Sequence, residues 1–394
     1  MSAGAAASRA GLLPLVGRGR ERIVVDEQLR ALAAGQSGAL LIQGEAGIGK
    51  SRLVAEALAL ATARGIRIAP TAAQEHERER PFAAIAAALG LKADAADPQR
   101  ADIGAMLHGE AVPDPFGSPA LGYGLIDAIV LLVARESAAV PMVLAVDDLQ
   151  WADRSSLVVL HSVLHASAMR VLVLGTRRLY PSSAEVESLV AAAESCGAVL
   201  DLGPLGRDAL VAYAQALLDA RIGTSLSQQL DRAGGNPLFA AELINALERE
   251  GALECRGGVV EAADVPLPPT VRMAILRRLR PLDSQTLHVV RMAALLGSRF
   301  AVADLAVVLD REPTSLLPQL AEAMRAGIFA DVGEVMGFRH DVVREAVCDE
   351  LGGSTRRALH LEVGRRLARG GAPASLVAAH LAAGAAPGDR EAVE

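Results

Sequence analysis

Residues 44–51 read GEAGIGKS, directly after the apolar run ALLIQ at 39–43. Gly44, Gly47 and Gly49 let the backbone turn its N–H groups inward toward an anion, at the positive end of a helix that starts near Lys50. The Lys50 ammonium would neutralise β and γ phosphates, and the Ser51 hydroxyl would ligate Mg²⁺. The spacing is GxxxxGK[ST], and this chain's own residue frequencies give on the order of 10⁻³ chance matches per chain. Only Lys50 and Lys92 are lysines among 39 basic residues, so arginine supplies positive charge almost everywhere except this loop. The bland alternative is a glycine turn entering a helix. An apolar run before the loop and a helical pattern after it favour the phosphate reading.

That helical pattern is SRLVAEALALATARG, with apolar residues at 53, 54, 57, 58 and 61. Short apolar runs at 66–69 (IRIA), 142–146 (MVLAV), 171–174 (VLVL) and 199–202 (VLDL) predict four more strands, with helical patterns between them. Alternation of this kind implies an α/β P-loop NTPase fold, a parallel sheet with helices on both faces. Residues 92–119, with Pro98, Pro113, Pro115 and Pro119, read as an irregular insertion. From about 206 the strand signals stop and short helical patterns follow, broken at Gly234-Gly235-Asn236-Pro237.

These shifts divide the chain into a tail (1–14), an α/β core carrying the phosphate loop (15–205), an all-α segment (206–264), a winged-helix-like domain (265–352) and the start of helical repeats (353–394). VPLPPT at 265–270 marks the third junction, and DVGEVMGFRHD at 331–341 has the pattern of a short β-ribbon after helices. The last forty residues, RRALHLEVGRRLARG and then SLVAAHLAAG, resemble the first unit of a stacked array, ending in GDREAVE.

Composition narrows the function. A length of 394 residues with 52% apolar content supports several cores, and aromatics at 3% favour helices packed through small side chains. The formal charge of -7 argues against these residues forming the main grip on nucleic acid. Cys196, Cys255 and Cys348 make no CxxC spacing and read as small core residues of a reducing cytoplasm. The apolar stretch Leu125–Val146 is interrupted by Asp127, Arg135, Glu136 and Pro141, which excludes a membrane span there.

VLAVDDLQWAD at 143–153 puts two carboxylates at the end of an apolar strand. Asp147 would join the Mg²⁺ shell, and Asp148 would orient or activate the attacking water. Asp153, before SSL, reads as a helix cap, and Trp151 as a packing anchor. GTRR at 175–178 brings an arginine to the same sheet edge, where Arg178 could sense a γ-phosphate through charge-assisted hydrogen bonds, with Arg177 the alternative if the register slips by one. Asn236-Pro237 and His340 carry little on spacing alone.

Taken in order, LVGRGRE (15–21), GEAGIGKSRLV, VDDLQWAD, GGNPLF and FRHDVVREAV (338–347) resemble the STAND class of signal-transduction ATPases, specifically the ATP-binding half of large LuxR-type (LAL) transcriptional regulators. The resemblance implies that 15–205 is an ATPase core, 206–264 an all-α lid and 353–394 the start of TPR-like repeats, and that they form an ATP/ADP- and Mg²⁺-binding switch with weak ATPase activity, in which Gly44, Gly47, Ile48, Gly49, Lys50, Ser51 and Arg52 meet the nucleotide. Pro237 matches the lid proline near adenine, and His340 the histidine that reaches the ADP phosphate and holds the closed state. It further implies self-association in the ATP state, an inducer of unknown identity, a cytoplasmic location, no membrane partner, and contact with DNA only through a C-terminal domain that this chain lacks. The same core phrases also serve modules that regulate a nucleotide cyclase or protein kinase, and a non-hydrolysing nucleotide-binding scaffold is a further reading.

Overall fold

A computed structural model describes residues 15–108, 119–166, 169–180, 182–263, 272, 273, 275, 276 and 279–385. The tail at 1–14, Pro113 and Pro115, the VPLPPT junction and the GDREAVE terminus lie outside the described residues. Two compact units divide the chain, one spanning Gly11–Gly203 and the other built from Pro204–Glu394.

The first unit is built on five parallel strands, β1 (Gly38–Gly44), β2 (Arg67–Ala72), β3 (Met142–Asp147), β4 (Val171–Arg177) and β5 (Ala198–Leu202), in the order β2-β3-β4-β1-β5. Pleating sends successive side chains to opposite faces, and both faces are apolar. Ala39, Leu41, Leu144, Val146, Val171 and Val173 point into one core, beneath helices that include 119–139, 154–165 and 184–196. Leu40, Ile42, Val143, Ala145, Leu172 and Leu174 point into the other, beneath helices 19–33 and 50–63. A fully buried Leu or Ile contributes roughly 1.5–3 kcal/mol relative to exposure, so these two layers fix the sheet that carries the loop.

The expected irregular stretch at 92–119 is corrected in part: Pro98–His108 is a helix. Asp97 accepts a hydrogen bond from the Arg100 amide at 3.0 Å, and Pro98 stands at the first helical position, so the proline starts a helix here instead of breaking one. Glu136, buried on the helix 119–139, then ties three elements together. Arg100 grips it with Nε and Nη2 at 2.9 and 2.7 Å, and Arg67 of β2 adds a third bond at 2.9 Å.

The second unit is mostly helical, but strands do not stop at 206 as the sequence suggested. β7 (Leu253–Arg256) and β8 (Val259–Ala262) form an antiparallel hairpin through Gly257-Gly258, with φ of 59° and 75°, and β6 (Arg221–Ile222) pairs parallel to β8. Two positive φ values in a two-residue loop match the right-handed twist of a hairpin. Further on, helix 284–296, β9 (Arg299–Phe300), helices 302–309 and 317–325, and the antiparallel pair β10 (Phe329–Asp331) and β11 (Met336–Phe338) enclose a Phe300–Phe329–Phe338 cluster with centroids 5.0–6.3 Å apart. Helix 341–350 leads to a hairpin of helices 353–369 and 374–384, which pack closely because Gly364 and Gly384 sit under Leu381 and Leu361.

Two cysteines depart from expectation. Cys196 and Cys255 are exposed, at a helix end and on β7, and only Cys348 is buried. Among the described residues no helix is long and apolar enough to cross a membrane.

Candidate functional site

β1 ends at Gly44 and the next helix begins at Lys50, so the loop 45–49 caps the carboxyl edge of the sheet at the amino end of a helix. Its glycines are required by geometry. Gly44, Gly47 and Gly49 have φ of 152°, 79° and 105°, and a Cβ on Gly44 would lie 2.7 Å from the Leu202 carbonyl. Ile48 buries its side chain in the core under helices 19–33 and 50–63, which anchors the middle of the loop. The buried Lys50 ammonium donates to the carbonyls of Gly44 at 2.9 Å and Glu45 at 2.7 Å, curled over the loop it would share with a phosphate. Ser51 is exposed, and Arg52 leans along the helix to Glu56 at 3.3 Å.

Arg18 contributes a support that sequence reasoning missed. From the VGRGRE phrase, its buried guanidinium donates to the Ile48 carbonyl at 3.1 Å and the Gly203 carbonyl at 2.7 Å, pinning the back of the loop to the end of β5. An arginine buried beside a glycine loop was present in the phrase. Its partner 185 residues away was not legible.

The carboxylates emerge two strands from the loop, with β4 between them. Asp147 closes β3, and the Thr176 hydroxyl of β4 donates to its Oδ1. The same hydroxyl accepts from the Asp148 amide at 2.9 Å. Asp148 takes the left-handed conformation, φ 58° and ψ 53°, which turns its side chain out of the strand direction. Its Oδ1 accepts from Gln150 Nε2 at 2.7 Å and lies 3.8 Å from Arg178 Nε. Thr176 and Gln150 are thus part of the site, and neither was singled out in the sequence.

The two arginines of GTRR have different fates. Arg177 belongs to β4 and is buried, donating to Gln43 Oε1 at 2.8 Å and to Glu187 at 2.7 Å. Desolvation opposes ionisation of Glu187, but hydrogen bonds from Ser182 and Arg177 together hold its carboxyl below the ordinary value. Arg177 is therefore engaged in fixing helix 184–196 to the sheet edge. Arg178, just past the strand, faces Asp148 instead.

Asp153 caps the helix 154–165 through the Ser156 amide at 2.8 Å, and also receives the Phe82 and Ala84 amides at 2.7 and 3.2 Å. One buried carboxylate serves two helix starts. Trp151 packs against the core beside it.

A glycine loop thus opens a helix at the carboxyl edge of the parallel sheet, with the paired acids at the end of the strand once removed. The first unit has the P-loop NTPase fold. Residues 14–174, less than half of the chain, match the family described as an AAA ATPase domain. No curated protein matches the sequence. Among solved structures, the ORC2 protein of Aeropyrum pernix, described in ADPNP-ADP complexes, aligns over 88% of this chain and 95% of its own at 15% identity, with a TM-score of 0.52. A Walker-type ATPase of Pyrococcus abyssi aligns over 84% and 96% at 13% identity, also with a TM-score of 0.52. A STAND protein with a tetratricopeptide-repeat sensor from Pyrococcus horikoshii aligns over 97% of this chain and 50% of its own at 15% identity, with a TM-score of 0.33, too loose to bear on the fold.

The donor set suits Mg²⁺, which prefers hard oxygen ligands and keeps several waters. The Ser51 hydroxyl and the Asp147 carboxylate are the oxygen donors the sequence offers it, and among the described residues no group of three or more His, Cys, Asp or Glu gathers to hold a metal. Pro237 and His340 belong to the second unit, and there the structure brings their two phrases together. Asn236 caps the helix 237–249 with Pro237 at its first turn. The His340 ring is buried against Gly234, where a Cβ would lie 2.1 Å from Nδ1, and meets Phe239 edge to face at 5.9 Å.

Proposed function

We propose that this chain is the ATP/ADP-binding switch module of a cytoplasmic transcriptional regulator, which self-associates in its ATP state under the influence of an inducer and resets by slow Mg²⁺-dependent hydrolysis. The observation that carries the reading is the placement of the Lys50 loop and the Asp147–Asp148 pair at one sheet edge, with β4 between them and its Thr176 hydroxyl bonded to both acids. Gly44, Gly47, Ile48 and Gly49 would present backbone to the phosphates, and Lys50 would exchange its carbonyl partners for β and γ oxygens. Ser51 and Asp147 would hold Mg²⁺, whose role is to neutralise charge developing on those oxygens. Asp148 would orient the attacking water, and Arg178 would distinguish ATP from ADP by leaving Asp148 for the γ-phosphate. A ligand shifts a switch only by binding its two states differently, and the γ-phosphate supplies that difference.

The nucleotide roles of Pro237 and His340 rest on the resemblance alone. Titrating fluorescent ADP and ATP against the chain and against Lys50→Ala tests the site: the variant should lose affinity, and equal affinity would refute the assignment. For the switch, His340→Ala should speed ADP release, and an unchanged off-rate would count against its closed-state role.

A further inference from the structure

Gln150 is buried, 3% exposed, in the short turn between the paired acids and helix 154–165. Its amide makes two bonds to different strand ends. Oε1 accepts from the Arg178 backbone amide at 3.0 Å, and Nε2 donates to Asp148 Oδ1 at 2.7 Å. The partners fix the orientation of the amide: a backbone N–H demands an acceptor, so the NH₂ must face the carboxylate. The turn is pressed onto β4, since a Cβ on Gly175 would come within 2.5 Å of Leu149 Cδ1. With the Asp148 backbone already on Thr176, the Gln150 amide is the group that sets the carboxylate itself.

We infer that Gln150 is a positioning residue for ATP turnover, tying the Asp148 carboxylate to the backbone of Arg178 so that the water-orienting acid and the γ-phosphate-facing arginine are set together. The inference rests on the hydrolytic reading of the site. A movement of the main chain at Arg178 breaks the Oε1 bond and releases the amide to rotate, which frees or reorients Asp148. The energy is that of one buried hydrogen bond, and its loss in the transition state corresponds to roughly a tenfold change in rate.

Steady-state phosphate release and fluorescent-ADP binding on the full chain test this, with Gln150→Leu, Gln150→Met, Gln150→Glu and Asp148→Asn. Gln150→Leu should lower kcat about tenfold with KM and ADP affinity unchanged, and Gln150→Glu should lower it further because a carboxylate would face Asp148. In the Asp148→Asn background, Gln150→Leu should cause no further loss, as expected for two residues acting in series. An unchanged kcat in Gln150→Leu, the same loss in both backgrounds, or a loss confined to KM would overturn the inference. If Gln150→Leu does not fold, as judged by its melting transition, the unbranched Gln150→Met takes its place with the same expectations. Wild-type turnover no higher than that of Asp148→Asn would refute the hydrolytic reading itself, whereas wild-type turnover well above Asp148→Asn with Gln150→Leu matching wild type would refute only the role of Gln150.

Discussion

Asp148 and Asp153 stand five residues apart in one phrase, yet they occupy opposite ends of the range open to a carboxylate. Asp153 is 2% exposed and its oxygens take four donors: the amides of Phe82, Ala84 and Ser156 and the Ser156 hydroxyl at 2.6 Å. Asp148 is 33% exposed, accepts one amide hydrogen and faces one guanidinium. The difference is hydrogen-bond satisfaction, not place in the sequence. Donors that belong to helix starts commit a carboxylate to the fold, and a carboxylate held by one side-chain amide stays available to a ligand.

The largest expected effect comes from breaking the committed member. Asp153→Ala strands three backbone amides at two helix starts, each worth about 1 kcal/mol as a cap and more when buried without a partner, so a loss of about 3–5 kcal/mol is expected. Urea denaturation measures it. A loss under about 1 kcal/mol would show that water takes over the amides, and the contrast with Asp148 would fail.

Asp148→Asn probes the other member. Asparagine tolerates the left-handed backbone, so stability should change by less than about 0.5 kcal/mol. Turnover should fall by about 10²-fold, the scale for removing a group that assists a nucleophile. A stability loss comparable to that of Asp153→Ala would place Asp148 among the structural acids.

Arg177 and Arg178 repeat the contrast one strand away, with a smaller effect. Arg177→Met removes the bonds to Gln43 and Glu187 and should cost about 1–2 kcal/mol in a urea titration, with nucleotide preference intact. Arg178→Met should leave stability nearly unchanged and narrow the difference between ATP and ADP affinities. Reversed outcomes would assign the sensor to Arg177.

How much of this was legible follows from the range of each interaction. The five strands of the first unit were readable because each is an apolar run, and the loop because its glycines, lysine and serine are contiguous. Asp153 as a cap was readable too, since its Ser156 partner is three residues away. Its grip on Phe82 and Ala84 was not, because no local pattern tells a capping acid that a second helix starts beside it. Thr176 and Gln150 were missed for the same reason: their roles exist only because β4 lies next to β3, and strand order leaves no trace in periodicity. Two oversights were avoidable. Asp97-Pro98 is a helix-start signal that was read as loop, and Gly257-Gly258 between alternating runs is a hairpin signal that was read as part of an all-helical lid.

The smallest effect carries the contrast between satisfied and available groups into the second unit. His360 and His380 face each other across the hairpin of helices 353–369 and 374–384, Nδ1 to Nδ1 at 3.0 Å. One ring must donate and the other accept, so two protonated rings cannot keep the bond. Burial lowers both pKa values, helped by the charge of Arg356 for His360 and by His360 for His380. The unfolded chain therefore takes up protons near the ordinary histidine value of about 6.5, before the folded chain does. The pair's contribution is full above that value and is lost as pH falls from it toward the lowered folded values. Urea midpoints measured at about pH 7.5 and about pH 5.5 should drop more for the wild type than for His380→Gln, whose amide does not titrate. Equal drops would mean that the rings part before they protonate, and that the pair belongs with Asp148 among the loosely held groups.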